Sequence, residues 1–459
     1  MNYFECQLNK PALDYKCGEE MVFTVYAKSN CEKTECKYVW WVLEGDDGKH
    51  SKGLAEITPK KPLVLKTSCD RAGFVHLICK SRNADATVDL SFDALEVSAG
   101  AEIEKLEYLD TLPEDFDKYW GEIENMIADF TPQLLEKKEV TEGVADGFVC
   151  YDLKIKTPID TVASGLLTMP KTDEKLPLII SFMGYGVSSA VICCRDDAIV
   201  LSINAHGTEN CIPRIEIENN HKDIIFYGFD EEQNKSPYTA YWRNMMIRDL
   251  TAAKFAKTLP QWNKKDFIAN GGSQGALQAT TVAAHEKGIT FLNIEIPWFC
   301  NLSAGNHGYL SGWRPKFCEG LRYFDTAAQA TRVTCPVKII AYLGDYTCPL
   351  QTVMTLYNTF DTEKTIEFVQ AGTHTYRPPI KVSYRLSNGE APVVGKTYRH
   401  YKGNEYEVLS IADSSENGEQ SVVYKALYGD GKVWVRPLSM WCEPIITKEG
   451  IKKRFEFVR

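Results

Sequence analysis

Six near-continuous apolar runs constrain this chain more than any other feature: "LPLIISFMGYG", "AIVLSINAHG", "DFIANGGSQG", "FLNIEIPWF", "CPVKIIAYLGD" and "TIEFVQAGTH". Strands that are apolar at successive positions are buried on both faces, which is the condition of a mostly parallel sheet covered by helices on either side. Helical stretches lie between several runs, notably "YTAYWRNMMIRDLTAAKFAKTL" and "GALQATTVAAHEKG". Ahead of them "PEDFDKYWGEIENMIADF" places Phe116, Trp120, Ile123 and Ile127 on one helical face. The pattern predicts an α/β domain over residues 101–385.

With 459 residues the chain extends beyond that domain at both ends. Residues 1–100 read as short strands, "MVFTVYAKS", "CKYVWWVLEG", "GFVHLICKSR" and "TVDLSFDALEVS", separated by turn clusters such as "GDDGKHSKG". That spacing predicts a β-sandwich. The "VWW" strand and "DRAGFVHLIC" resemble two core strands of an immunoglobulin-like domain. No cysteine in "MVFTVYA" can partner Cys79, and Phe74 occupies the place of a corner tyrosine, so no inter-sheet disulfide is expected. Residues 390–459 are again strand-like, and the turns "YKGN" and "YGDG" predict a small all-β, barrel-like domain of hairpins. The Pro-rich "YRPPIKVSYRLSNGEAPVVG" reads as the linker to it.

A net charge of −10 argues against nucleic acid and an anionic membrane surface as partners. No apolar stretch approaches the roughly 18 residues of a membrane span. The stretch "MNYFECQLNKPALDYKCGEE" lacks a basic segment followed by an apolar one, so a cytoplasmic location is expected. Fifteen cysteines include no C-x-x-C pair; Cys31 and Cys36 are close in sequence, and Cys193 and Cys194 are adjacent. Reduced thiols fit this pattern better than a disulfide framework. With no H-E-x-x-H, H-x-H or Cys/His cluster, neither a metal nor another cofactor is expected.

In "FIANGGSQG" an apolar strand runs straight into G-x-S-x-G with a helix behind it, the context of a nucleophile elbow. Such a turn needs Ser273 at positive φ, a conformation that costs about 1–3 kcal/mol. Gly271 and Gly275 stand where the doubled chain leaves no room for a Cβ, and Gly272 adds freedom beside them. The plainer readings are a glycine-rich strand–helix turn or a phosphate loop, but no G-K-[ST] follows. An elbow also demands an acid and then a histidine downstream. Asp345 ends one later run and His374 follows the next, in the required order and each just past a strand. His374 would take the Ser273 Oγ proton, with Asp345 fixing its tautomer. Taken singly, Asp345 is also readable as a helix cap and His374 as surface. Two N–H donors must face the developing oxyanion. Gln274, at the helix start, supplies one; the Gly184-Tyr185-Gly186 turn supplies the other through Tyr185, or else is a plain turn with Tyr185 packed outward.

These motifs, "GGSQGA", the "GYG" turn, "CPVKIIAYLGDYTCP" and His374, together with "PEDFDKYW" and "YWRNMMIRDLTAAKF", resemble the acetyl xylan esterase/cephalosporin C deacetylase family over about 105–380. The resemblance implies an α/β-hydrolase fold and deacetylation of small acetylated sugars, oligosaccharides and related acetyl esters. It implies Ser273, Asp345 and His374 as the triad, with Tyr185 and Gln274 as oxyanion donors. Ala276 departs from the family's usual second glycine, and "NAHGTEN" carries His206 where an arginine is usual. "PWFC" replaces a Pro-Phe-Leu-Cys pocket segment, so Gly184, His206, Pro297 and Trp298 are the expected pocket residues, with Trp298 alternatively plain core. Members of the family often form closed hexamers, which implies a homo-oligomer. The C-terminal block resembles a small bacterial domain family of unknown function. Two rivals stand beside the esterase reading: a prolyl-oligopeptidase-type serine peptidase and a non-catalytic carbohydrate-binding protein with a hydrolase-like core. About 100 residues of sandwich are too few for the peptidase's propeller.

Overall fold

The computed structural model describes residues 2–29, 38–58, 60–83, 85, 87–378, 383–389, 391–414 and 420–459. Its centre is a ten-stranded sheet. From one edge the strands run Ser383–Ser387, Lys364–Val369, Val337–Tyr342, Phe291–Glu295, Trp262–Gly272, Leu176–Phe182, Ile199–Asn204, Val162–Pro170, Phe148–Lys156 and Gln133–Val140. The six apolar runs are the six parallel strands in the middle. Ile199–Asn204 is buried at every position, because helices cover both faces. The helices Tyr241–Ala256 and Gln274–His285 bury Trp242 and Met245, and Leu277 and Val282, in the core. The entry helix Phe116–Asp129 buries Phe116, Trp120, Ile123 and Ile127, as its spacing predicts, and Tyr119 with them. This is the α/β-hydrolase fold.

Four antiparallel strands flank the parallel set, three on one edge and one on the other. Ser383–Ser387 is one of them: part of the stretch read as a linker pairs with Lys364–Val369 and closes that edge of the sheet. The Pro-containing residues 379–382 lie outside the described residues.

The described residues between 2 and 101 form two sheets, one of three strands and one of four. A single buried cluster joins them, with Phe4, Phe23 and Leu65 from one sheet and Val39, Leu77 and Val97 from the other. Cys79 is buried within it. This unit is fused to the hydrolase: Phe74 enters the hydrolase core beside Phe368, and Asn358 Nδ2 donates to the Ile103 and Leu106 carbonyls at 3.2 and 2.7 Å.

At the C-terminal end the described strands form an open five-stranded sheet and a separate hairpin, Pro444–Thr447 with Gly450–Lys453, and do not close into a barrel. Both predicted turns join paired strands, while Leu438–Cys442, read as strand, is a short helix. Trp441 and Phe455 stack with centroids 3.7 Å apart beside Tyr398 in the core of this unit. No disulfide joins the cysteines whose side chains are described; Cys31 and Cys36 lie outside the described residues, as does the side chain of Cys442. Among the described residues no helix is long and apolar enough to cross a membrane.

Candidate active site

The elbow strand Trp262–Gly272 ends at Ser273, whose backbone sits at φ 54°, ψ −120°. Only a tightly held chain keeps a non-glycine residue there. A Cβ on Gly271 would overlap the Gly275 carbonyl, and one on Gly275 would overlap the carbonyl of Phe182 on the neighbouring strand. The two glycines therefore let the helix start press against the strand end. Gly272 has no such constraint: its nearest neighbour would be the Glu295 carbonyl at 3.8 Å. The Ser273 N–H donates to the Glu295 carbonyl at 2.9 Å, fixing the tip. Ile296, Phe299, Asn301 and Ala371, also at the carboxyl ends of the parallel strands, share its positive φ.

Asp345 follows the strand Val337–Tyr342 and is buried. His374 follows Lys364–Val369, with 22% of its side chain exposed. The His374 Nδ1–H donates to Asp345 Oδ2 at 2.9 Å, and the Cys348 N–H donates to Asp345 Oδ1 at 2.9 Å. With Nδ1 engaged, Nε2 is the nitrogen left to accept a proton. Ser273 and His374 line one cavity of about 670 Å³ with Gly184, Tyr185, Gly272, Ile296, Trp313 and Thr347. No hydrogen bond joins Ser273 Oγ to His374 among the described residues; in ligand-free hydrolases that bond commonly tightens only when substrate arrives. Asp345, Cys348 and His374 offer ligand atoms within 4.8 Å of one another. The acid–histidine hydrogen bond already occupies two of them, and burial drives the Cys348 thiol far above its usual range, which disfavours a thiolate ligand.

The turn after Leu176–Phe182 brings Gly184 to Ser273: a Cβ there would lie 3.7 Å from Ser273 Cβ. Tyr185 packs against Tyr227 with ring centroids 4.3 Å apart, and its hydroxyl donates to the Tyr227 carbonyl at 3.0 Å. The Tyr227 hydroxyl accepts the Gly186 N–H at 3.1 Å and donates to Gln274 Oε1. Gln274 is fully buried, and its Nε2 donates to Gln278 Oε1; Gln278 Nε2 in turn reaches the buried Asp249 at 2.9 Å. Burial pushes the Asp249 carboxyl up to about 7. The "GYG" turn and the start of the elbow helix are thus tied together through side chains, which holds the Tyr185 and Gln274 backbones in place.

Three residues expected in the pocket lie behind it. His206 faces the turn from below: its ring bonds the Gly186 carbonyl through Nε2 at 3.1 Å and the Tyr241 hydroxyl through Nδ1 at 2.7 Å. Burial lowers its pKa to about 4, so it is a neutral support. Pro297 and Trp298 are buried beneath the wall, with Trp298 stacked on Trp313 at 5.3 Å. The surface ring is Trp313, which sequence reasoning missed along with Ile296 and Thr347. A second cavity, of about 690 Å³, lies between the sheet edge and the C-terminal unit beside Asn388, Tyr398 and Trp441; among the described residues no serine, cysteine or histidine lines it.

A parallel α/β-hydrolase sheet with a strained serine turn and an acid–histidine pair at its carboxyl edge defines the class. The chain belongs to the acetyl xylan esterase family, whose model matches residues 95–304 and 315–386. Residues 396–457 match a family described as a protein of unknown function, DUF1653. Over 269 residues the chain is 25% identical to the acetyl esterase Axe7A of Xylanibacter ruminicola, a match covering 54% of this chain and 60% of that protein. An acetyl xylan esterase from Paenibacillus sp. R4 superposes with a TM-score of 0.50 at 17% identity, over 60% of this chain and 94% of its own. Acetyl xylan esterase 1 from Thermoanaerobacterium sp. JW/SL YS485 gives 0.47 at 20% identity, over 61% and 94%.

Proposed function

We propose that this protein is a serine carboxylic ester hydrolase that deacetylates acetylated sugars or xylo-oligosaccharides through an acyl-enzyme. The observation that carries the reading is the 2.9 Å Asp345–His374 hydrogen bond opening onto the cavity that holds Ser273. Ser273 Oγ attacks the acetyl carbonyl as His374 Nε2 takes its proton. Asp345 holds the ring and offsets the charge of the imidazolium. The backbone N–H groups of Tyr185 and Gln274 receive the oxyanion. The alcohol leaves with the proton from His374, and water attacks the acetyl-enzyme by the same route in reverse.

Membership of the acetyl xylan esterase family and the likeness to an acetyl esterase support the acyl group and the sugar alcohol. In this reading residues 101–385 are the catalytic domain, with flanking domains at 1–100 and 390–459. The free thiols support a reducing compartment such as the cytoplasm. The test is hydrolysis of p-nitrophenyl acetate and acetylated xylobiose by Ser273→Ala. We expect kcat to fall by about 10⁴-fold or more with the fold intact. Undiminished turnover would overturn the assignment.

A further inference from the structure

The family match leaves out two parts of the chain near the active site: the residues before 95, and the stretch 305–314 between its two segments. In the fold these two additions meet. Arg71, on the N-terminal unit, donates to the His307 carbonyl at 3.0 Å and the Gly308 carbonyl at 2.7 Å, and its guanidinium lies 3.6 Å from the Tyr309 ring centroid. The same guanidinium anchors to the Asp46 carbonyl at 2.7 Å. The Asp46 carboxylate is buried and accepts two backbone N–H groups, Phe74 of its own sheet at 2.8 Å and Leu310 of the loop at 3.1 Å.

Beyond Leu310 the loop has little freedom before it reaches the cavity. Gln351 Nε2 donates to the Leu310 carbonyl at 3.1 Å. Gly312 sits at φ +63° where a Cβ would overlap the Thr347 carbonyl. The Trp313 N–H donates to that same carbonyl at 3.1 Å, and the Trp313 carbonyl accepts the Trp298 indole N–H. Thr347 belongs to the loop of Asp345, and Tyr346 beside it donates to Glu44 of the N-terminal unit. Trp313 packs against Tyr185 with centroids 4.8 Å apart and on Trp298, yet 45% of it stays exposed on the cavity wall. An exposed ring beside a nucleophile suits the C–H face of a pyranose, whereas an acetyl group is too small to need it.

We propose that the N-terminal unit is a specificity module for the esterase site. Through Arg71 and Asp46 it holds the 305–314 loop so that Trp313 becomes the platform for the sugar ring of the acetylated substrate. Trp313 touches substrate; Arg71 and Asp46 are positioning residues that act through it. The inference rests on the esterase reading, so its test compares an ester with a sugar ring and one without.

The measurement is steady-state kinetics on acetylated xylobiose and on ethyl acetate. Trp313→Ala should raise KM for acetylated xylobiose by about tenfold with kcat nearly unchanged, and Trp313→Phe should restore most of it. For ethyl acetate the loss in kcat/KM should be several-fold smaller than for the sugar ester. Arg71→Met should raise KM for the sugar ester by about threefold and, placed on Trp313→Ala, should add nothing, the signature of two residues acting as one unit. Multiplying effects in the double variant, or equal losses on both esters, would overturn the proposal while leaving the esterase intact. Turnover by Ser273→Ala on either ester would instead remove the reading beneath it.

Discussion

The two flanking units dock at opposite ends of the same parallel strands. The N-terminal one reaches the carboxyl ends, where Arg71, Asp46 and Glu44 bond the loops around Asp345 and Trp313. The C-terminal one reaches toward the amino ends. There Ile446 and Ile451 pack on Ile179, Val200, Ile268 and Phe291, the Ile451 N–H donates to Asp266 Oδ1 at 3.0 Å, and Glu443 pairs with Lys338. In open α/β sheets chemistry collects at the carboxyl ends. Similar amounts of added β-structure are thus expected to have different consequences: at one end a change should move substrate contacts, at the other it should move stability.

The largest effect separates chemistry from both flanks. His374→Ala should lower kcat by about 10⁴-fold and Asp345→Asn by a comparable factor, with the melting temperature little changed. Losses of only a few-fold would place the chemistry elsewhere. Next come the glycines of the elbow. Gly271→Ala should lose both stability and activity, because its methyl meets the Gly275 carbonyl, whereas Gly272→Ala should lose neither. Equal losses at the two positions would show that conformational freedom, rather than close approach, requires them.

A third prediction tests the support under the "GYG" turn. His206 is held neutral by burial, with a pKa of about 4 against about 6.5 in an unfolded chain. Its contribution is therefore complete above pH 6.5 and is lost as pH falls from there toward 4. Buried acids such as Asp249 shift the other way, so the quantity to read is the difference between wild type and His206→Gln in denaturant unfolding. That difference should shrink by about 2 kcal/mol between pH 7.5 and 4.5. A constant difference would mean that His206 is free to protonate in the fold. The smallest effect belongs to the other end. Asp266→Ala should cost about 1–3 kcal/mol by freeing the Ile451 amide, with kcat/KM of the folded enzyme unchanged on both esters. A change in sugar-ester KM there would break the contrast between the two ends.

What was legible in the sequence follows the same division. The six parallel strands announced themselves because burial on both faces leaves no room for polar positions, and the serine turn because its sterics restrict the residues around it. The strand Gln133–Val140 gave no such signal: it is a mostly exposed edge rich in Glu and Lys, and its apolar residues mark no face. Asn2–Leu8, His50–Glu56 and Leu63–Thr67 went unread for a similar reason, being short and half-exposed. Asp345 and His374 were legible by their order after strands. Trp313 was not, because its place depends on contacts from Asp46, Thr347 and Trp298, distant in sequence and carrying no motif. His206 and Trp298 were singled out by departures from a family pattern, which mark a neighbourhood but not whether a residue lines the cavity or stands behind it.

The proposed reaction stands on Ser273 as its nucleophile and His374 as its base. Labelling the full-length protein with a fluorophosphonate and locating the adduct by peptide mass spectrometry tests it most directly. A single adduct on Ser273 is expected, absent from Ser273→Ala and much slower to form in His374→Ala. A protein that turns over acetyl esters while its adduct forms on another residue, or forms equally fast without the imidazole, would contradict it.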